Sequence, residues 1–559
     1  MLLRLAPAAT LAVLAGPVVL GLAFTVLPAF GFLPALGGTT FSLDPWRGLL
    51  AAPGLSTALT LTVGTGLATT LLALALAAGL CAAVAHRPGM ARLQRLMVPL
   101  LASPPSGLAL GFAFLVMPSG WLVRLVSPWA TGWAVPPAGL VTVGDPLGIS
   151  LVAALLIKEV PFLTLMLFAA SATVPVERLM AAARALGRDA ATAWVSVVFP
   201  QLYRQVRLPV FAVLAFSMSV VDVAIIVGPT NPPPLAVLAT RWFLGYDLAY
   251  FHTAAAAATL QLVLVALAIL LWLALERPVA ALGRRWLARG SRSRAAGGAA
   301  GVAGAVAALL ILLGLLSLLA MLVWSLAGSW RFPAALPDSW QLWLWRGEAG
   351  DAAALASTSA GIGLAAVAVA LVLTLACLEN EQRHGLHPGA AVQWLVYLPL
   401  IVPQIAFLFG VQVLLVRAGL DGTPLAVVWA HLVFVLPFVF LSLADAYRAL
   451  DPRYAMTAAA MGAGRWQVFL TVKLPLLARP ILIAAAVGFA VSIAQYLPTL
   501  FAGAGRVATL TTEAVTLSSG GDRRILGLVA VLQAALPLAA YGLALALPFL
   551  AFRRFRGMA

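Results

Sequence analysis

The sequence is 559 residues long, 63% hydrophobic and only 9% charged, with a formal net charge of +16. Soluble proteins carry about 25% charged residues, so this composition excludes a soluble core with a wetted surface. Residues 295–329 contain no ionisable side chain, and about 20 apolar residues are enough for a helix to cross a bilayer. Because backbone polar groups find no hydrogen-bond partners in lipid, such runs must be helical. The composition therefore predicts an all-α polytopic membrane protein.

Twelve hydrophobic segments follow one another along the chain, in two sets of six. The first set lies near residues 8–30, 55–84, 97–117, 149–172, 208–228 and 253–275. The second set lies near residues 301–327, 353–378, 394–416, 425–446, 480–501 and 525–551. A stretch rich in Arg, Gly and Ser separates them and is typical of a linker. We therefore predict a first six-helix half at residues 1–276, a basic cytoplasmic linker at 277–299 and a second six-helix half at 300–559.

The distribution of basic residues predicts that both termini lie on the cytoplasmic side. With the N-terminus inside, 24 basic residues fall in inner loops and nine in outer loops, and cytoplasmic loops collect Lys and Arg. The apolar run after Arg4 exceeds the core of a signal peptide, which is about 7–15 residues long, so we expect a retained first helix. The net charge thus reflects membrane topology, and we expect no nucleic-acid partner. Cys81 and Cys377 indicate neither a disulfide framework nor a metal site.

Two polar stretches share one pattern of glycine, apolar residues and proline. They are MAAARALGRDAATAWVSVVFP at residues 180–200, here called the first loop, and MTAAAMGAGRWQVFLTVKLP at residues 456–475, the second loop. The separation between Gly187 and Gly462, here called the repeat offset, equals the separation between Pro200 and Pro475. Each loop follows the fourth hydrophobic segment of its set and precedes the fifth. A pattern that recurs in this way predicts two parallel halves related by an axis along the membrane normal.

Each loop is predicted to form a short helix, a turn and a second short helix. Gly187 supplies the left-handed turn of a helix C-cap. A helix from Asp189 to Val198 follows, and Pro200 is expected to end it at Phe199. Its apolar stripe, at helical spacing, consists of Ala191, Trp194, Val195 and Val198, and the counterpart stripe of Trp466, Phe469 and Leu470. Such an apolar edge suits insertion into a groove of another protein, whereas the alternative is an amphipathic segment that lies in the bilayer interface.

The two loops resemble the cytoplasmic loop of the permeases of ATP-binding-cassette (ABC) importers. That loop has the pattern Glu-Ala-Ala, three residues, Gly, nine residues, Ile, one residue, Leu-Pro. Both loops here match its spacing, but Ala181 and Met456 replace its glutamate, and Thr457 replaces one alanine in the second loop. Over the whole chain the resemblance is to fused, two-half permeases of the thiamine and ferric-iron group. Residues 496–524 are most similar to the YnjC-like family of that group.

The resemblance implies a type I ABC importer permease fold in the bacterial inner membrane. The chain has no Gly-four residues-Gly-Lys-Ser/Thr sequence, so we expect a non-catalytic subunit without cofactor or metal, with ATP and Mg bound by a partner. Two loops imply two copies of a cytoplasmic ABC ATPase. The resemblance also implies a periplasmic binding protein that delivers a thiamine-like compound or ferric iron. The candidate coupling residues are Ala181, Ala182, Ala183, Gly187, Asp189, Trp194, Val197 and Pro200, with Ala458, Gly462, Arg465, Trp466, Val472 and Pro475 in the second loop.

Few polar side chains interrupt the hydrophobic segments. An ionisable group at membrane depth is a functional candidate by default, which makes Asp222 and His431 candidate pathway residues, together with Gln495. The alternatives are a structural histidine and an amide that hydrogen-bonds between helices. Lys158 is expected near the outer interface. The outer loops at residues 226–242 and 499–515 begin at corresponding positions, so they are either a paired docking surface for the binding protein or ordinary connections.

The competing function is a secondary transporter of the major-facilitator type, which also has two parallel six-helix halves and a basic central linker. Residues 85–95 resemble the basic motif that this class carries between its second and third helices. The long cytoplasmic loop between the fourth and fifth segments of both sets favours the ABC permease. Sparse acidic groups within the segments also argue against proton coupling.

Overall fold

The computed structural model describes residues 2–34, 37–84, 90–288, 295–386 and 389–551. Seven of the 24 basic residues assigned to inner loops lie outside these ranges, namely Arg87, Arg289, Arg292, Arg294, Arg553, Arg554 and Arg556. Most of the C-terminal stretch that was predicted to be cytoplasmic also lies outside them. The described residues form helices and connecting segments. Their only β-structure is two isolated bridges, Leu33 with Gly38 and Ala327 with Trp340. The predicted all-α class is confirmed in this part of the chain.

The helices are numbered in chain order. Up to residue 288 they are α1 (Leu2–Ala29), α2 (Asp44–Leu50), α3 (Leu55–Val84), α4 (Met90–Ala102), α5 (Pro105–Val116), α6 (Trp121–Val126), α7 (Ile149–Ser171), α8 (Val176–Ala185), α9 (Ala190–Ala193), α10 (Phe199–Ser219), α11 (Asp222–Val227), α12 (Leu235–Phe243) and α13 (Tyr250–Ala288). From residue 295 they are α14 (Ala295–Leu326), α15 (Trp343–Gly347), α16 (Ala349–His384), α17 (Ala390–Ile401), α18 (Gln404–Arg417), α19 (Pro424–Arg448), α20 (Pro452–Ala460), α21 (Arg465–Val468), α22 (Leu474–Leu476), α23 (Ala478–Ile493), α24 (Leu497–Gly503), α25 (Leu510–Ser518) and α26 (Arg523–Ala551). Two π-helical turns, Trp194–Val198 and Phe469–Lys473, precede α10 and α22.

Nine helices of the described residues are long and apolar enough to cross a membrane. Two bent pairs raise the number to eleven if each is one span: residues 394–417 with a bend of 89° and residues 465–493 with a bend of 73°. The predicted segment at residues 208–228 falls in α10 and α11 and does not meet this criterion. Arg204 and Arg207 lie in the N-terminal half of α10, which lowers its mean hydropathy. The multi-pass architecture is confirmed, whereas a count of twelve is not.

Most of the predicted linker at residues 277–299 is helical. The helix α13 continues to Ala288, well past the predicted end of its hydrophobic segment near residue 275, and α14 begins at Ala295. The residues between them lie outside the described part of the chain. Helix α13 tolerates Pro278 in its interior.

The first helix of each predicted half packs against the other half. Helix α1 lies on α16 and α18, whereas α14 lies on α3 and α5. At Gly21 of α1 the two backbones nearly touch, because a Cβ atom there would come within 2.4 Å of the Phe407 carbonyl oxygen. Small residues permit such close helix contacts, which gain packing energy in a membrane where burial from water contributes little.

Several elements recur at the repeat offset. The recurring pairs that share this offset at their first residue are α7 with α19, α9 with α21, the two π-helical turns, α10 with α22, α11 with α24, and α12 with α25. The offset is the one that relates Gly187 to Gly462 in the sequence. The repeated sequence register therefore corresponds to a repeated order of local structure.

Candidate functional site

The first loop contains a tight helix ending built on Gly187. Helix α8 ends at Ala185, and Gly187 has a φ of +82°. The Gly187 amide donates to the Arg184 carbonyl at 2.8 Å, and the Arg188 amide donates to the Ala183 carbonyl at 3.3 Å. This pair of bonds is a Schellman motif, which satisfies carbonyls left free at a helix end. The left-handed conformation predicted for Gly187 is present.

The second loop has the same helix ending. Gly462 has a φ of +88°, its amide donates to the Ala459 carbonyl at 3.0 Å, and the Ala463 amide donates to the Ala458 carbonyl at 3.1 Å. The residue that precedes the glycine is apolar and points outwards in both loops. Leu186 is 72% exposed and Met461 is 78% exposed. These two side chains, related by the repeat offset, were missed in the sequence analysis, although their shared place before the glycine was a signal.

The two loops differ in how their second helix begins. In the first loop Asp189 is the N-cap of α9: its carboxylate accepts from the Thr192 amide at 3.2 Å and from the Thr192 hydroxyl. Partial burial raises the pKa of Asp189, but these hydrogen bonds outweigh it and hold the pKa below its ordinary value. In the second loop Gly464 occupies the N-cap and provides no side-chain bond. Arg188 donates to the Ser196 hydroxyl at 3.0 Å, which further ties the first loop together.

The predicted end of the second helix at Phe199 is wrong. The Phe199 amide donates to the Trp194 carbonyl in a π-helical turn, and α10 then runs on through Pro200. Pro475 follows the second π-helical turn in the same way. Pro200 and Pro475 are each the second residue of the α-helix that follows the π-helical turn, and proline is well tolerated in the first turn of a helix. The prolines therefore do not end the preceding helical turn.

The predicted apolar stripe is more exposed in the second loop than in the first, where Val195 alone of the four stripe residues is exposed. Trp194 is 4% exposed and Val198 is fully buried, because their π-helical turn packs against α3, α8 and α10, while the short helix α9 before it packs against α14. Its counterpart is open: Trp466 is 62% exposed and Leu470 is also exposed. Of the other candidate coupling residues, Ala181, Ala182, Pro200, Gly462 and Arg465 are exposed, Ala183 and Ala458 are buried, and Val197, Val472 and Pro475 are intermediate. The prediction that this stripe faces outwards in both loops is therefore wrong, because Trp194 and Val198 are buried.

A buried ionic cluster joins the second loop to two long helices. Lys473, in the π-helical turn, donates to the Glu379 carboxylate of α16 at 2.7 Å and to the Gln382 side chain at 2.6 Å. Glu379 also accepts from the Tyr447 hydroxyl of α19 and from Arg383. All these bonds satisfy a carboxylate whose side chain is only 4% exposed. Glu379 was not among the predicted site residues, because it lies just beyond the predicted segment at residues 353–378.

The candidate pathway residues lie near breaks in the helices. Asp222 is buried at the start of α11, just after the chain breaks from α10, and no Lys, Arg or His of the described residues forms an ion pair with it. Gln495 lies in the corresponding break before α24. Its Nε2 donates to the Val491 carbonyl at 3.1 Å, whereas its Oε1 is buried without a partner. The structure therefore leaves polar groups available at both breaks.

His431 is held on both sides of its ring. Its Nδ1 lies 2.8 Å from the Ser492 hydroxyl and its Nε2 lies 2.8 Å from the Thr499 hydroxyl. Two hydroxyl partners satisfy a buried imidazole, which favours the structural role over the pathway role.

Lys158, which was expected near the outer interface, directs its ammonium group at the end of α4. Its ammonium group donates to the carbonyls of Leu100, Leu101 and Ser103, at 3.1, 2.8 and 2.6 Å. It thereby caps the end of α4 at the break before α5. No group of three His, Cys, Asp or Glu residues that could hold a metal ion is found among the described residues.

No family model matches the chain. The chain is 34% identical over 509 residues to the inner membrane ABC transporter permease protein YnjC of Escherichia coli strain K12, an alignment that covers 90% of each protein. The chain belongs to the inner-membrane ABC transporter permeases. The permease is thus a multi-pass membrane subunit of a non-catalytic kind, and its family implies an ATPase partner. The major-facilitator alternative is not favoured.

Proposed function

We propose that this permease forms the translocation pathway of an ATP-driven importer, and that its two loops dock onto two copies of a separate cytoplasmic ATPase. The observation that carries the proposal is the pair of loops, related by the repeat offset, with the same helix ending, the same π-helical turn and the same exposed apolar residue. Two equivalent projections suit a partner that is itself a symmetric dimer.

The proposed architecture is that of a type I importer permease with twelve spans in two parallel repeats, residues 1–276 and 300–559, and with both termini in the cytoplasm. The equal offset of six pairs of elements supports the repeat. In this arrangement α10 with α11 is the span that carries basic residues at its cytoplasmic end. The basic segment at residues 277–299 connects the repeats on the cytoplasmic side.

Movement of the two loops would be transmitted to the membrane-spanning helices through side-chain contacts. The second loop pulls on α16 and α19 through Lys473 and Glu379, and the first acts through the buried Trp194 and through α10, which continues directly from its π-helical turn. When the ATPase dimer closes on ATP, both loops move together. The halves then rotate and switch a central cavity between outward and inward access.

The substrate is proposed to be a small solute delivered by a periplasmic binding protein. The resemblance to the thiamine and ferric-iron group points to a thiamine-like compound or ferric iron. Asp222 supports a cationic substrate. Burying a carboxylate without an ionic partner costs free energy, and a bound cation would offset that cost. The outer loops at residues 226–242 and 499–515 are proposed to receive the two lobes of the binding protein.

The exposed apolar residues provide the test of ATPase docking. Leu186→Asp combined with Met461→Asp should abolish co-purification with the ATPase, because a charge would have to be buried in the partner's groove. Both side chains are exposed, so the variant should fold normally. The control is Leu147→Asp. Leu147 is 73% exposed and lies just before α7, on the predicted outer side. Undiminished co-purification of the double variant would refute the docking assignment.

Transport itself is tested in liposomes that contain the permease with its ATPase and the binding protein. Solute uptake should require ATP and should be lost in Asp222→Asn while ATPase co-purification persists. Uptake driven by an ion gradient, without any ATPase, would overturn the proposed function.

A further inference from the structure

A basic cavity lies beside the second loop. It has a volume of about 740 Å³ and opens between the start of α1, the end of α16 and the helices α20 and α21. Its charged and titratable lining consists of Arg4, Glu379, Arg383, His384, Arg465 and Lys473. With His384 neutral, four cations face one carboxylate, which gives the lining a net charge of +3. The other lining residues are apolar, namely Leu3, Ala455, Ala459, Ala463 and Val468.

The single carboxylate of the cavity already accepts hydrogen bonds from three side chains of the protein. Glu379 accepts from Lys473 at 2.7 Å, from Arg383 at 2.5 Å and from the Tyr447 hydroxyl. Arg383 still has a buried terminal nitrogen, Nη2, without any acceptor. A buried N–H group without an acceptor costs free energy. Within the described residues, one guanidinium nitrogen of Arg383 therefore has no hydrogen-bond acceptor.

Unlike Arg383, the other two arginines of the cavity have no acidic partner within the described residues. Neither Arg4 nor Arg465 forms an ion pair within the described residues. Arg4 Nε donates to His384 Nε2 at 3.4 Å, while His384 Nδ1 lies 3.0 Å from the Asn380 carbonyl. His384 orients Arg4 through this contact and carries no negative charge that could compensate the guanidinium. Two guanidinium groups thus remain available to an anion.

The first loop lacks the two basic residues that the second loop contributes to this cavity. At the repeat offset Ala190 stands in the place of Arg465, and Val198 in the place of Lys473. Two identical ATPase subunits that dock equivalently on both loops cannot both need a basic cavity that exists beside one of them. This step rests on the proposed function. It separates the cavity from the docking surface formed by Leu186 and Met461.

We propose that the cavity binds a phosphate group, and specifically the headgroup of an anionic phospholipid of the cytoplasmic leaflet. Guanidinium groups hold phosphate oxygens with paired, charge-assisted hydrogen bonds, and basic pockets between membrane helices on the cytoplasmic side suit anionic headgroups. Helix α1, whose Arg4 borders the cavity, carries the exposed side chains Leu5 and Leu11. Acyl chains can lie along this face while the headgroup enters the cavity.

The test uses the purified full-length permease, delipidated in detergent and without any ATPase. Native mass spectrometry measures the affinity for phosphatidylglycerol and, with matched acyl chains, for phosphatidylcholine. A parallel titration with inorganic phosphate follows the unfolding temperature. The variant is Arg4→Gln with Arg465→Gln, two exposed side chains whose loss should not affect folding. The matched control is Arg453→Gln, an exposed arginine of α20 that does not line the cavity.

The wild type and the control should bind phosphatidylglycerol in preference to phosphatidylcholine, and the double variant should bind it roughly 30-fold more weakly, because two basic contacts are lost. Stabilisation by inorganic phosphate that disappears in the double variant, without any preference for phosphatidylglycerol, would assign the cavity to a soluble phosphate compound and would overturn the headgroup proposal. Equal binding of both lipids with no effect of phosphate, or binding that the double variant retains, overturns the proposal.

A double variant that keeps its lipid preference but loses the ATPase would assign the cavity to the partner and would also overturn the proposal. Failure of the docking proposal is seen separately, as unchanged ATPase co-purification in the Leu186 and Met461 variant. Lipid binding is measured without the ATPase, so the two failures are distinguishable.

Discussion

Substituting Gly462 tests whether the turn of the second loop is the feature that the ATPase recognises. At a φ of +88° an alanine is strained by its own backbone, at a cost of about 1–2 kcal/mol. A Cβ atom at Gly462 would meet nothing within 4 Å, so the strain has no steric contribution from neighbours. The free loop can relax out of this turn, but the docked loop cannot. Gly462→Ala should therefore bind the second ATPase copy about 5- to 30-fold more weakly.

The chain offers a matched control two residues away. Gly464 has a φ of −67°, which alanine adopts without strain, and a Cβ atom there also meets nothing within 4 Å. Gly464→Ala should bind the ATPase like the wild type, and Gly462→Asn should recover part of the affinity because asparagine tolerates the left-handed region.

The assay is a titration of the purified permease, reconstituted in lipid discs, against the immobilised ATPase. Wild-type affinity of Gly462→Ala would refute the reasoning, since the turn would then be irrelevant to docking. Equal weakening by Gly464→Ala would also refute it, because the loss would then follow from added bulk and not from backbone conformation.

Three further predictions concern stability, measured as free energies of unfolding in detergent. Trp194→Ala should cost about 3–5 kcal/mol because its side chain is buried, whereas Trp466→Ala should change stability by less than about 0.5 kcal/mol because it is exposed; similar losses would contradict the asymmetry of the loops. Lys473→Met should cost about 3 kcal/mol by leaving a buried carboxylate short of a cation, and a double-mutant cycle with Glu379→Gln that shows no coupling energy would contradict this. Asp189→Ala should cost about 1 kcal/mol through loss of the helix cap. Because the folded-state pKa of Asp189 is lowered, the stability advantage of the wild type should be present above the ordinary pKa of 3.8 and should vanish as the pH falls through the lowered value. A difference in stability that does not depend on pH would contradict the capping role of Asp189.

The sequence alone determined the class of the protein and the position of its loops. Composition excludes a soluble fold, and apolar runs in lipid must be helical. The left-handed turns at Gly187 and Gly462 are local properties, because they depend on a helix end and on the residue that follows it. The repeat offset is visible in the letters of the sequence and returns in the order of helices and π-helical turns.

The tertiary structure decided which surfaces of the loops remain open. Trp194 and Trp466 belong to the same pattern, but Trp194 is buried where α3 and α14 pack against the first loop, and these contacts join parts of the chain that are far apart in sequence. Glu379 and Lys473 are likewise 94 residues apart, so neither could be assigned a partner from its neighbours in sequence. Periodicity and caps report local backbone preferences, whereas burial and ion pairing depend on which helices approach each other.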